Sequence, residues 1–435
     1  MARASARVNA AGEALSPATF EIASVKIFTN WDMEFEIRSI VSEITVNESL
    51  FASSIETDIV IADGINFFEK ARLTGNERLE VTINRVEPGN VKKKFEFTCF
   101  IANIQDFAKP RPGVQSYRFS CVSEHAYINA GKRLNRVFQG GIGDIINNIC
   151  QKDLQVKPAQ LNKDVKGIIR GIYPNIKPLE AITWLLRNST DNSTPFFFYE
   201  TLRDGIIFDS YENLLEIGSY RKYKHSPFFE ELPNTEENFI DAQQRIIRIS
   251  SELDMGKYFQ IYDGTYGSTV NSVDIATKKY TVRKYSYDQD KVLKLNDHGP
   301  ISTRTKFADE SLSDMSSSMV YNVSLNSKAY NKIGNYHAPI VDSLSKKQSY
   351  HANLGYMGHD ITIYGDFDMS VGKVIELEIY KASDEKELEE DRKNMIDKMN
   401  SGYYIVTELA HIFANGEYTI EMGIQKDSSM LDMNG

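Results

Sequence analysis

One β-pattern occurs twice in this chain, and that repetition constrains its fold more than any other feature. Near the C-terminus His359–Tyr364, a turn over Asp366 to Ser370, Gly372–Tyr380, Ser401–Ile412 and Glu417–Lys426 follow one another. Ile375, Leu377 and Ile379 alternate with polar residues, as do Tyr418, Ile420, Met422 and Ile424. Period-2 alternation marks strands with one buried face. Asn415-Gly416, lying between two such runs, predicts a tight hairpin because both residues tolerate positive φ.

Closer to the N-terminus, Asn76–Ile83 resembles Gly372–Ile379, with Leu79-Glu80-Val81 set against Ile375-Glu376-Leu377. Phe95–Ile104 parallels Tyr403–Ile412, and Tyr117–Glu124 parallels Tyr418–Gln425. The likeness is one of pattern rather than identity. It predicts two small antiparallel β-modules of one type in a single chain. The whole then reads as mainly β with an α+β insert, each module a small barrel or sandwich.

In chain order, the Ala-rich residues 1–17 read as an arm. They carry arginines but no apolar core of the kind a secretory signal has. Residues 18–124 form the first module: a strand over Phe20–Phe28 whose alternation slips at Ala23-Ser24, then strands at Phe35–Glu48 and Ser54–Ala62 and a short helix at Ile65–Leu73. Lys109-Pro110-Arg111-Pro112-Gly113 is the loop of its last hairpin. Residues 125–240 change to helical spacing, with Ile142, Ile145, Ile146 and Ile149 on one face and Leu179, Ile182, Leu185 and Leu186 on another. Pro178 suits a first helical turn. Phe196–Leu202, the Asp204-Gly205 turn and Ile206–Leu215 follow as a hairpin that packs under the helix.

Residues 241–350 read as β-rich with long polar loops. Strands are expected at Gln244–Leu253 and Lys257–Tyr262, and an open loop or interface arm over 286–318. Residues 351–435 are the second module, with a charged insertion at 383–399 that reads as an exposed helix or tether.

Composition narrows the function classes. At 435 residues the chain holds roughly two to four domains' worth of material. A net charge of −10 argues against wrapping nucleic acid by phosphate neutralisation. It is compatible with an acidic wall past which DNA slides. Cys99, Cys121 and Cys150 form no CxxC; Cys99 and Cys121 read as small buried hydrophobes and point to a reducing assembly compartment. No apolar run is long enough to span a bilayer.

No HExxH, GxSxG, Walker A or EF-hand spacing occurs. Gly141-x-Gly143 lacks the third glycine, the Lys-Ser/Thr of a phosphate loop and, as the sequence reads, a preceding strand. The histidines are scattered, and His411 in a strand reads as structural. Carboxylates are too abundant to single out an acid–base pair, and Glu77 and Glu80 beside the repeated strand read as salt links or turn caps. No catalytic, cofactor or metal residue is assigned, and the chain does not read as an enzyme.

The order of elements carries a resemblance. Val25-Lys26-Ile27-Phe28 precedes paired strands, the Gly75–Val81 strand and a hairpin closing at Ser123-Glu124; then come the Lys177–Leu215 block and Ser401–Asp427. This resembles the central baseplate hub protein of contractile-tailed, T-even-like bacteriophages, and the hub part of type VI secretion spike proteins. The resemblance covers roughly residues 20–428. It implies tube-type barrel domains and a homotrimeric ring between a sixfold tail tube and a threefold central spike, since two related modules in each of three chains present six near-equivalent units.

The implied partners are the trimeric spike protein and the tail tube protein, with the tape measure protein and other baseplate proteins as further candidates. DNA passes through the lumen unbound, and no cofactor is implied. The implied location is the virion's tail baseplate, assembled in the host cytoplasm. Residues 286–318, Lys109 to Gly113 and 383–399 are the expected contact segments. The arm and the insertion depart from the family's pattern. The rival classes are a tail-associated hydrolase using dispersed carboxylates and a receptor-binding tail module.

Overall fold

In a computed structural model of the protein, the described residues are 17–87, 91–162, 165, 168–189, 194–225, 236–252, 257–289, 294–298, 306, 307, 309–317, 319–325, 337–355, 357–381 and 396–431. The expected arm, save Pro17, and insertion residues 383–395 lie outside them.

The first module comprises β1 (Glu21–Phe28), β2 (Glu34–Glu36), β3 (Val41–Ser49), β4 (Glu56–Asp63), the one-turn helix α1 (Phe67–Lys70), β5 (Arg78–Glu87), β6 (Val91–Arg111) and β7 (Val114–Ser123). Its antiparallel order is β3-β4-β7-β6-β5-β1-β2. The slip in alternation at Ala23-Ser24 is a β-bulge, where the pairing of β1 with β5 skips between Ile22 and Ser24.

An α+β unit follows: α2 (Glu124–Gly131), β8 (Val137–Gly141), α3 (Ile142–Asn148), β9 (Gln160–Leu161), β10 (Ile168–Ile172), α4 (Pro178–Asn188), β11 (Phe196–Thr201), β12 (Gly205–Ser210) and α5 (Tyr211–Glu216). Pro178 occupies the first turn of α4, and Glu180 Oε2 accepts from Lys177 N at 3.0 Å. The strand expected to run to Leu215 stops at Ser210, whose Oγ caps α5 by accepting from Asn213 N. The aromatic hairpin is buried on both sides. Phe196, Phe198, Ile206 and Phe208 face the helices, while Phe197, Tyr199 and Ile207 join the large core of the modules.

The rest of the chain holds β13 (Ser219–His225), α6 (Glu236–Gln243), β14 (Ile246–Glu252), α7 (Lys257–Tyr262), β15 (Gly267–Asp274), β16 (Lys279–Ser286), β17 (Lys306–Phe307), β18 (Glu310–Ser311), β19 (Val320–Leu325), α8 (His337–Leu354), β20 (Met357–Tyr364), β21 (Val374–Ile379), β22 (Gly402–Ala414) and β23 (Glu417–Lys426). The strand expected at Lys257–Tyr262 is helix α7. Its aromatic run has no period long enough to separate the two forms, and Gly264 at φ +72° ends it, donating to Ile261 O. The β22–β23 turn is as the sequence predicts, with Asn415 at φ +54° and Gly416 at +81°.

The second module has the order β14-β20-β23-β22-β21-β13. It therefore takes two strands, β13 and β14, from upstream of residue 351, where the sequence reading starts it. β14 pairs with β20 as β3 pairs with β4, but residues 253–356 intervene. Local periodicity cannot reveal a hairpin opened by an insertion that long.

The repeat holds at the level of register. Aligned through their ladders, β3, β4, β7, β6 and β5 correspond to β14, β20, β23, β22 and β21. The pairing of β6 with β7 skips between Ile101 and Asn103, and that of β22 with β23 skips between Val406 and Glu408. Measured against β5 and β21, these bulges fall at the same point. A second pair also matches: β3 skips between Val41 and Glu43 against β4, and β14 skips between Ile246 and Arg248 against β20. The β7/β23 equivalence is two residues away from the one read in sequence, so that Val122, not Glu124, stands where Gln425 does.

One difference is topological: β1 runs antiparallel to β5, whereas β13 runs parallel to β21. Among the described residues no ladder closes either module. Instead Ile37 N donates to Val25 O at 2.8 Å across the first seam, and Lys224 N to Gln244 O at 2.9 Å across the second.

His359, on β20, shows how tightly the second module is packed. Tyr404 OH donates to Asn400 O at 2.6 Å, so it accepts from His359 Nε2 at 3.0 Å, leaving Nδ1 to accept from Ser251 Oγ at 2.9 Å. Burial, with the Lys426 ammonium nearby adding to it, lowers the imidazole pKa from 6.5 to about 4. Between those values the unfolded chain binds a proton that the folded chain refuses, so stability falls as pH drops from 6.5 toward 4. In urea unfolding at pH 4.5 and 7, His359→Gln is expected to show a smaller acid loss than the unsubstituted chain, by on the order of 3 kcal/mol at most. Equal acid losses would refute the assignment.

Candidate assembly surfaces

The two modules join edge to edge. Glu408–Ala414 of β22 pair antiparallel with Ser49–Glu43 of β3, making one sheet that runs β14-β20-β23-β22-β3-β4-β7-β6-β5-β1-β2. β22 alternates strongly between faces here, so the junction has an apolar side and a polar side.

On the apolar side Phe413 stacks on Tyr418 at 4.4 Å and meets Phe20 edge-on, and Phe95 stacks on Phe367 at 3.9 Å. Arg85 of β5 is 2% exposed and donates to Gly365 O and Pro17 O. Its guanidinium also lies over the rings of Phe239, Phe367 and Tyr418. Desolvation lowers its pKa.

Glu48, on β3, ties three parts of the chain together. Its carboxylate accepts from Leu202 N of the α+β unit at 2.6 Å and from Val371 N of the second module at 3.2 Å. Glu200 returns the arrangement, accepting from Ile55 N at 2.8 Å and from Ser123 Oγ. His411 is fully buried, with Nδ1 2.8 Å from Tyr418 OH and Nε2 3.7 Å from Glu48 Oε1. It is a junction residue, consistent with its structural reading in sequence. Glu77 is a turn cap, accepting from Thr74, Gly75 and Asn76 N–H groups, and Glu80 pairs with Arg78 at 3.1 Å.

The polar side of the same sheet is acidic. Cross-strand rows place Ser250, Asp360, Gly423, Glu408 and Ser49 together, then Arg248, Thr362, Glu421, Ala410, Asn47, Glu56 and Val122, then Tyr364, Thr419, Ile412, Thr45, Asp58 and Ser120, then Glu417, Ala414, Glu43, Val60 and Arg118, so that carboxylates outnumber cations among a few apolar side chains. The opposing cations are few: Arg248 pairs with Glu421 at 3.0 Å, and Arg118 with Asp106 at 3.2 Å. A hollow of about 850 Å³ lies over the β14-to-β3 part of this face. The acidic balance of the composition thus has a location, which no linear motif marks.

The expected contact segments fare differently. Lys109, Pro110 and Arg111 are not loop residues but the exposed end of β6, the turn having narrowed to Pro112-Gly113 with Gly113 at φ +80°. The 286–318 segment, where described, is partly tied down. Leu295 N donates to Asp427 Oδ1, Asn296 N to Ser428 Oγ, and His298 bridges to Ser429. From the 383–399 insertion only 396–399 are described, and Ile396 bridges back to Tyr380.

A surface the sequence reading missed is the outer face of the β16-β15-β19 sheet. α8 packs against this sheet, yet Val273, Tyr280, Val282 and Val320 are exposed, as are Tyr258, Phe259 and Tyr262 of α7. Among the described residues no group of three or more His, Cys, Asp or Glu side chains is arranged to hold a metal ion.

Replacing Glu48 by Ala strands two buried N–H donors, at about 1–3 kcal/mol each. A loss of about 3 kcal/mol in unfolding free energy is expected, with Glu48→Gln losing less than half as much. A loss below 1 kcal/mol in Glu48→Ala would show that the carboxylate does not hold the junction.

No family model and no curated protein matches the chain. Among solved structures it is similar to a tail protein from Neisseria meningitidis MC58, at 12% identity and a TM-score of 0.53 over 94% of this chain and 97% of that one. It is also similar to the 43 kDa tail protein of prophage MuSo2 from Shewanella oneidensis, at 8% identity and a TM-score of 0.52 over 92% and 97%. The chain has the fold of these two tail proteins over nearly its whole length.

Proposed function

We propose that the protein is the structural hub of a phage tail baseplate: a homotrimeric ring that adapts a sixfold tail tube to a threefold central spike and leaves a channel for DNA. The observation that carries this reading is the duplication. Two modules with matching strand order and matching bulges, joined in one sheet, let three chains offer six near-equivalent units. A trimer with one module per chain would offer only three units to a sixfold partner. The fold shared with two tail proteins supports the setting, and the acidic sheet face suits a wall that DNA passes without adhering.

The work done is binding rather than turnover. The tube and the spike are the partners at opposite ends of the ring, and the tail baseplate is the location. The exposed apolar face of β16-β15-β19 and α7 offers one surface for such contacts.

Light scattering of the purified chain, with averaged electron-microscope images, tests the ring. A trimer seen as a three-lobed annulus with sixfold character on one face is expected, without hydrolysis of peptidoglycan. A monomer that cleaves peptidoglycan would overturn the reading in favour of a tail-associated hydrolase.

The channel wall is tested separately by anisotropy titration of duplex DNA. The unsubstituted protein is expected not to bind, whereas Asp360→Lys combined with Glu408→Lys should bind at low salt and release DNA as salt rises. Tight binding by the unsubstituted protein would remove the acidic face from the channel.

A further inference from the structure

The junction inside the chain is a template for a junction between chains. Resting on the ring reading above, we propose that the edge of β6 in one copy pairs antiparallel with β14 of a second copy, repeating between protomers what β22 and β3 do within one. β22 has two partners along one edge: β21 over Gly402–Ile405, then β3 over Glu408–Ala414. Its counterpart β6 pairs with β5 over Val91–Phe100. Beyond that, from Asn103 to Arg111, the same edge has no strand partner among the described residues. The counterpart of β3 is β14, which pairs with β20 and is the terminal strand of the sheet path. Each edge is thus open where its counterpart is occupied.

The register follows from the ladders. Ile412 faces Thr45 in the internal junction. Ala108, opposite Ser116 on β7, holds the position of Ile412, which lies opposite Thr419 on β23. Ser250, opposite Asp360 on β20, holds the position of Thr45, opposite Asp58 on β4. Ala108 of one copy therefore faces Ser250 of the next.

β6 differs from β22 in carrying two further bulges here, between Gln105 and Ala108 and between Ala108 and Arg111, with Asp106 at φ +56°. Such bulges bend an edge and restrict which strand can pair with it. The β6 edge also exposes Phe107 at 51%, in the stretch between Gln105 and Ala108 whose counterpart on β22, His411, is fully buried in the internal junction. Arg248 would approach Arg111 across the junction, but it is already engaged by Glu421 at 3.0 Å. The contact joins unlike edges, so it propagates head to tail and closes as a ring rather than a two-fold pair.

Directly opposed residues place their Cβ atoms about 5 Å apart, within reach of a short bismaleimide, to which each thiol adds without oxidation. Cys99, Cys121 and Cys150 are buried, which limits background. In the full-length chain, Ala108→Cys with Ser250→Cys is expected to give covalent dimers and then trimers as the terminal species on denaturing gels. Neither single variant alone should cross-link at this junction, whereas an equimolar mixture of the two should give dimers. Thr45→Cys with Ile412→Cys should link only within a chain and stay at monomer mass, reporting that the template junction is formed.

A trimer by light scattering that fails to cross-link at 108 and 250, while the Thr45/Ile412 control links, overturns the strand junction and leaves the ring standing. A chain that is not trimeric and does not cross-link overturns both. Ladders that run past the trimer overturn closure at three copies.

Discussion

The β22–β3 ladder is the contact on which the rest of the molecule depends. It makes the two modules one sheet and gives its two faces opposite character. Behind it lies an aromatic core with Arg85 and His411 embedded in it. A buried guanidinium is costly unless its donors are met, and here carbonyls from Pro17 and Gly365 meet two of them. Glu48 extends the same logic, satisfying backbone donors from two other parts of the chain with one carboxylate. The modules are therefore held by directional polar bonds within an apolar junction, which fix their relative setting more narrowly than apolar packing alone.

Duplication alone does not make two modules interchangeable. Equivalent bulges at corresponding positions of β6 and β22, and of β3 and β14, show that both sheets bend at the same places. Sheets that curve alike can occupy equivalent places around an axis. Where they differ, as in the parallel β13 and the bulged outer end of β6, each module acquires its own surroundings. The 253–356 excursion between β14 and β20 carries the exposed apolar sheet, so the second module brings a feature that the first lacks.

The parts of the fold legible in sequence were those set by local geometry. Asn415-Gly416 announced its turn because its φ values are accessible to few other pairs. Pro178 marked a helix start, and the slipped alternation at Ala23-Ser24 marked a bulge. The run Lys257–Tyr262 misled because six residues are too few for a period to show. The net charge allowed an acidic wall but not its position, because its carboxylates come from separate strands and meet only across ladders.

The sequence by itself determined that the chain is mainly β, that one pattern recurs, and that no familiar catalytic motif is present, since alternation and residue type are properties of neighbouring positions. Only the tertiary structure decided that β13 and β14 complete the second module, that β22 takes β3 as a partner, and that the edges of β6 and β14 stay open among the described residues. Strand pairing is a contest among distant segments for the same backbone donors and acceptors, and its outcome rests on which pairing buries the most apolar surface at once.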